Sequence, residues 1–169
     1  MFTARSKKVA FAEVENGTFN RMKGFTALTT NRNPQEYTRQ YVDEAFETTD
    51  VTAISTSMDF TFDQMQGDPV HDMMIDIIDG EKIGDDAIVP IVVVDFTQEG
   101  TSPGSYKASQ RDFVLVPETE GDEIEAYSYS GTFRVKGPKI DGEATTTDDW
   151  KTCTFIADSG DIDGGETGV

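Results

Sequence analysis

His71 and Cys153 are the only histidine and the only cysteine of the chain, so the side chains that most often carry nucleophilic or metal chemistry occur once each. A Ser-His-Asp triad would have to pass through His71, which stands between Val70 and Asp72, and neither G-x-S-x-G nor H-E-x-x-H is present. The expectation for His71 is an ordinary surface position in the first turn of a helix. Asp72, Asp76 and Asp79 repeat at helical spacing. Carboxylates so placed do metal or acid–base work when a Glu-x-x-His partner joins them, and none does, so a solvated helix face is expected. DIDGG at 161–165 and IGDDA at 83–87 lack the spaced oxygen ligands and terminal glutamate of an EF-hand loop. A phosphate-cradling G-x-x-x-x-G-K-[ST] is also missing. A lone cysteine allows neither an intramolecular disulfide nor a cysteine zinc cluster; in WKTCTFIA it is in phase with Phe155 and should pack as a small apolar residue. Tyr37, Arg39 and Tyr41, and Phe133 with Arg134, interleave aromatic and basic groups that can stack on bases. Against that stands a net charge of −18, from 32 acids and 14 Lys and Arg, which repels phosphates. No catalytic, cofactor-binding or metal-ligating residue is assigned, and no enzyme activity is expected.

The elements that would hold these residues are mostly strands. EAYSYSGTFRVKG alternates Tyr127, Tyr129, Phe133 and Val135 with Ser128, Ser130, Thr132 and Arg134, the pattern of a strand apolar on one face and wet on the other. VTAISTSMDFTFD places Ile54, Met58, Phe60 and Phe62 on one core-facing side. NRNPQEYTRQYVDE has no apolar face, so this strand should project from the core or be covered by a partner. With the segment after it, it reads as a long hairpin with an acidic tip. IVVV at 91–94 is apolar throughout and should be central, covered on both faces. One helix is expected at about 69–79, with Asp68 as N-cap, Pro69 in the first turn and Gly80 at C′. Its core face is Val70, Met73, Met74, Ile77 and Ile78. Seven or eight strands and one helix make a mostly-β sandwich or barrel with one flanking α-helix.

Three segments are distinguished: a basic N-terminal arm (1–24), a β domain (25–157) and an acidic flexible tail (158–169). The arm carries a net +3, which leaves −21 on the rest. No apolar run suits a signal peptide or a membrane span, so a soluble protein made in a reducing cytoplasm is expected.

The blocks NPQEYTRQYVDEAFETTDVTAISTSMDFTFD, DDAIVPIVVVDF, EAYSYSGTFRVKG and ATTTDDWKTCTF, in this order from about residue 20 to 156, resemble the major tail tube proteins of long-tailed (siphovirus-type) bacteriophages. The resemblance implies a β-sandwich or barrel with one helix, related to the tube of type VI secretion. It implies a structural virion protein whose hexameric rings stack around a tape-measure protein. It further implies a tail terminator and a distal tail protein as partners, viral DNA passing through unbound, no cofactor and no membrane. Assembly would take place in the host cytoplasm. The family's inter-ring hairpin would fall on the acidic tip, making Asp43, Glu44, Glu47, Thr48 and Asp50 contact candidates. Arg5, Lys7 and Lys8 of the basic arm are candidates for stacking on the acidic body of the next ring. An inner tube of a contractile tail, and a β-rich carbohydrate- or receptor-binding module, remain as alternatives.

Overall fold

The structure, a computed structural model, describes residues 1–158, so all but the first residue of the expected acidic tail lies outside the described residues. After a 3-10 turn at Arg5–Lys7 come β1 (Lys8–Glu15), β2 (Thr18–Arg21), β3 (Phe25–Asn31), β4 (Pro34–Arg39), β5 (Thr48–Ile54) and β6 (Ser57–Asp63). The helix α1 (Pro69–Asp79) follows. Then β7 (Ile88–Glu99), β8 (Tyr106–Glu120), β9 (Ser128–Val135), β10 (Ile140–Thr145) and β11 (Thr152–Ala157) complete the described chain. The expected architecture, mostly β with one flanking helix, is the observed one. The strands are more numerous than expected because a break at 55–56 divides one long run, and because the supposed arm is itself a hairpin.

That last point is a correction. Of residues 1–24, only the first few stand apart; β1 and β2 form a hairpin turned at Gly17, whose φ of 84° suits a residue without Cβ. Phe11 and Ala12 are fully buried. The VAFAEV run reads as a short strand of the arm; its core, VAFA, is in fact covered on both faces and paired into the sheet.

Nine strands form one antiparallel sheet in the order β10-β11-β2-β1-β7-β8-β9-β6-β3. The length of β8 gives it two neighbours on one edge: Tyr106–Gln110 beside β10, and Phe113–Glu120 beside β9. Strands β8, β10, β11, β2, β1 and β7 therefore close on themselves as a barrel, and β9-β6-β3 continue from it as an open flank. Strands β1 and β7 serve two cores. Phe11, Val92 and Val94 face the barrel interior with Phe19, Ala144 and Cys153. Ala10, Ala12, Val89 and Ile91 face the second core, shared with Phe60, Phe62, Phe133 and the helix. This is the two-sided covering expected of the IVVV run. The cysteine is packed as expected, and burial pushes its thiol up to about 12, with the Asp148 charge adding to the shift.

The helix has its predicted bounds. The Asp68 carboxylate accepts from the Val70 N–H at 3.0 Å and the His71 N–H at 3.1 Å, the N-cap bond that its position suggested. Val70, Met74 and Ile77 are buried, Met73 and Ile78 are half-buried, and all five pack on the second core. Gly80, however, keeps a helical φ of −77° and donates to Asp76, so the left-handed reversal falls on Glu81 at φ 49°. No helix among the described residues is long and apolar enough to cross a membrane.

His71 is not on the surface but fully buried. Its Nδ1 accepts the Met65 N–H at 2.9 Å, and its Nε2 lies 2.5 Å from the Lys23 carbonyl, which assigns the proton to Nε2. The ring also packs on Phe62, with centroids 4.5 Å apart, and edge-on to Phe25 at 5.7 Å. The first helical turn is thus wedged between the segments at 23 and 65. The imidazole supplies a donor to the Lys23 carbonyl and an acceptor to the Met65 N–H, tying the helix to both segments.

The strand face expected to be buried is correct at Met58, Phe60, Phe62, Tyr129 and Phe133, and Val135 is half-buried. Tyr127 is a correction: it precedes β9, is 50% exposed, and its hydroxyl donates to Glu120 at 2.8 Å. Ile54 is another, 60% exposed because the chain breaks at Ser55–Thr56 and loses phase with Met58. Gly131 leaves a gap in the alternation that Phe60 fills; an added Cβ there would lie 2.8 Å from the Phe60 ring. The polar face is also drier than its composition implies, since Ser128 and Thr132 are buried.

At the barrel end between β10 and β11, Asp148 organises the turn. Its carboxylate accepts from the Thr152 N–H at 2.9 Å, the Thr152 hydroxyl at 2.8 Å and the Thr146 hydroxyl at 2.9 Å. These bonds accompany positive φ at Asp149 and Trp150, and the Trp150 ring closes the barrel against Phe96 at 5.0 Å and Tyr106 at 5.7 Å. The Thr152 N–H, then its hydroxyl, hold the Asp148 carboxyl down from 3.8 to about 2. A depressed carboxyl stabilises the fold above its unfolded value, and that contribution is lost as pH falls toward and through the folded value. The expected result is that Asp148→Asn melts below wild type at pH 7 and that the gap closes between about pH 4 and pH 2. Thermal melts across that range check this; a gap that does not change with pH would contradict it.

Candidate assembly surfaces

The hairpin of β4 and β5 leaves the sheet altogether and forms a two-stranded unit of its own. Every residue of both strands is exposed. The sequence required this, because a strand without an apolar face has nothing to bury. The hairpin is held by its ladder, by the Thr38–Thr49 hydroxyl pair at 3.0 Å, and by the Arg39 guanidinium 4.8 Å from the Tyr37 ring and 5.9 Å from Tyr41. At the turn, Gln40 donates to the Glu44 carbonyl and the Glu44 N–H bonds Tyr41.

The contact candidates Asp43, Glu44, Glu47, Thr48 and Asp50 all lie on this exposed unit, the first three in the connection between its strands. Sequence reasoning passed over the apolar residues beside them. Phe46 is 80% exposed and Val42 fully so, with Tyr41, Val51 and Ile54 also at the surface. The signal was available, since an aromatic inside DEAFETTD has no strand phase to bury it.

The basic candidates behave differently from one another. Arg5 donates to the Lys8 carbonyl at 2.7 Å and the Leu28 carbonyl at 3.1 Å, bridging β1 to β3. Lys8 stands 4.0 Å from Asp95, and Lys7 is exposed. Among the described residues, strand β3 has β6 as its one sheet neighbour, and no strand of these residues pairs with its other edge.

Beside that edge lies a cleft of about 950 Å³. Its floor is apolar, from Met58, Ile91, Val93 and Phe113, and its walls carry Arg5, Lys8, Arg32, Lys107, Arg111 and Lys139 against Asp95, Asp141 and Asp158. In a chain of charge −18 this is a local reversal of sign. Sequence reasoning missed it, because these cations come from strands and loops far apart in the chain.

The outer face of the β8-β9-β6-β3 flank carries the polar residues of the alternating strands. Thr119 and Ser130 share a hydroxyl hydrogen bond, and the Thr132 hydroxyl lies 3.1 Å from an Asp59 oxygen and 3.2 Å from Glu118. Asn31 donates to Asp59 at 2.9 Å. Among the described residues, no group of three His, Cys, Asp or Glu side chains is placed to hold a metal ion. Asp72, Asp76 and Asp79 are exposed, with Asp76 paired to Lys82 at 2.6 Å.

Compared with protein-family models and with curated protein sequences, the chain matches none. The class that the fold itself defines is a β-sandwich and barrel with one flanking helix, an open sheet edge and a projecting hairpin.

Proposed function

We propose that this chain is the structural subunit of a phage-type tail tube, whose copies join into six-membered rings that stack around a tape-measure protein. The observation that carries this reading is the hairpin of β4 and β5. An isolated two-stranded hairpin is marginal in water, yet this one is fully exposed and presents Tyr37, Tyr41, Val42, Phe46, Val51 and Ile54. Such a surface calls for a protein partner. The open edge of β3 calls for one too, because an unpaired strand edge is a template for another chain. A second copy meets both needs, and repeated contact between unlike surfaces builds rings or open stacks.

The hydroxyl-and-carboxylate face of the β8-β9-β6-β3 flank then suits the wall of the conduit. Joined edge to edge, such flanks would present Asp59, Glu118, Thr119 and Ser130 to passing DNA, and a negative wall does not grip phosphates. The role is structural rather than catalytic, with the tail terminator and distal tail protein closing the two ends.

Negative-stain electron microscopy of the concentrated protein over a salt series tests the proposal. Hollow tubes or six-fold rings are the expected result, favoured as salt screens self-repulsion. Single chains at every salt, which also fail to extend an assembled tail tip, would overturn it.

A further inference from the structure

We infer that the basic cleft beside β3 is the receptor for the hairpin tip of a second copy of this chain, with Phe46 seated on the apolar floor and Asp43, Glu44 and Glu47 against the cationic walls. The inference rests on the self-assembly reading above and names the surface that self-assembly uses.

Three observations carry it. The first is chemical match. The tip is an aromatic side chain flanked by acids, and the cleft is an apolar floor flanked by cations. The second is that three of the cations are available. Among the described residues, no carboxylate lies within 4.0 Å of the guanidinium groups of Arg5, Arg32 or Arg111, whereas Lys8 pairs with Asp95, Lys139 with Asp141, and Lys107 lies opposite Glu143. Arg5 and Arg111 hydrogen-bond to main-chain carbonyls and Arg32 to the Thr56 hydroxyl, contacts that orient each side chain while leaving its charge uncompensated. In a chain with more than twice as many acids as bases, three guanidinium groups that no carboxylate among the described residues pairs with mark a place for an anionic visitor.

The third is reach. Arg32 stands at the base of the hairpin, and β4 leads away from it for six residues, about 20 Å at 3.3 Å per residue. No residue of the tip lines the cleft of its own chain. The tip of one copy and the cleft of another thus form a head-to-tail contact that leaves a free tip and a free cleft at the two ends, the requirement for continued growth. Burial of an exposed aromatic at the centre with charges at the rim is also the usual distribution of binding energy in an interface.

The test is site-directed cross-linking between differently tagged full-length chains, one carrying Glu44→Cys and the other Lys139→Cys, joined by a short bismaleimide. The native Cys153 is buried and does not compete. The expected result is a mixed product several-fold above a control pair in which Lys151→Cys replaces Lys139→Cys, falling when salt is raised to about 0.5 M. Adding Phe46→Ser to the first chain should lower the yield about tenfold, the effect of losing about 1.4 kcal/mol. A yield equal to the control, or indifferent to both salt and Phe46→Ser, would overturn the inference. So would an absent cross-link accompanied by a thermal shift with inorganic phosphate, which would give the cleft to a small anion. Tubes that form without this cross-link would leave the assembly reading standing and remove the docking. The cross-link in a chain that builds neither rings nor tubes would keep the docking and remove the tube.

Discussion

Phe62→Ala should cost about 3–5 kcal/mol and lower the urea midpoint by roughly 2 M. Phe62 is fully buried in β6, where both faces of its ring are occupied: Tyr129 stacks at 5.4 Å, His71 at 4.5 Å and Phe25 at 5.1 Å. These three belong to β9, α1 and β3, so one ring joins the open flank to the helix. Truncation removes the transfer energy of the ring and leaves a cavity that the surrounding strands cannot close without breaking their ladders. The loss should therefore fall in the upper part of the usual range for core substitutions. Equilibrium urea unfolding checks it. A cost under about 1.5 kcal/mol would mean that the second core repacks freely, contrary to the close ring contacts.

Replacing residues 33–54 by Asn-Gly should have the opposite profile, with folding retained and assembly abolished. The Ser55 N–H already bonds the Arg32 carbonyl at 3.1 Å, so β3 and β6 arrive at the point of excision in hydrogen-bonded register. A two-residue Asn-Gly loop suits such a pair. The excised strands contribute no buried residue to the chain, and their removal should shift stability by less than about 1 kcal/mol. If the hairpin is the element that joins copies, the shortened chain should stay a single chain at every salt where wild type forms rings or tubes. Thermal melting and negative-stain microscopy on the same preparation separate the two effects. Normal tubes from the shortened chain would remove the hairpin from assembly. A collapse in stability would show that it supports the fold after all.

The elements differ in how plainly the sequence announces them. The helix was legible to the residue because Asp68, Pro69 and the stripe Val70, Met74, Ile77 are all local signals, and the cap bond is made within three residues of its donor. The projecting hairpin was legible for the same kind of reason: no phase of NPQEYTRQYVDE yields an apolar face. The burial of His71 was not legible. It depends on the carbonyl of Lys23 and the amide of Met65, and nothing at position 71 reports that those two groups converge there. Tyr127 and Ile54 show the limit of alternation, which gives the period of a strand but not where the strand begins or breaks.

The sequence alone determined the class of architecture, the helix and its cap, the two-sided burial of IVVV, the solvent-exposed acidic hairpin and the charge imbalance. All of these follow from periodicity, capping chemistry and composition, each a property of neighbouring residues. Tertiary structure alone decided that β8 is shared between a closed barrel and an open flank, because its barrel partner β10 pairs with it from beyond the β8–β9 hairpin, a choice made by register and not by local pattern. It also decided that β1 and β2 belong inside the sheet. And it gathered Arg5, Arg32, Lys107, Arg111 and Lys139 around one apolar floor, since charges scattered along a chain acquire a common field only when the fold brings them together.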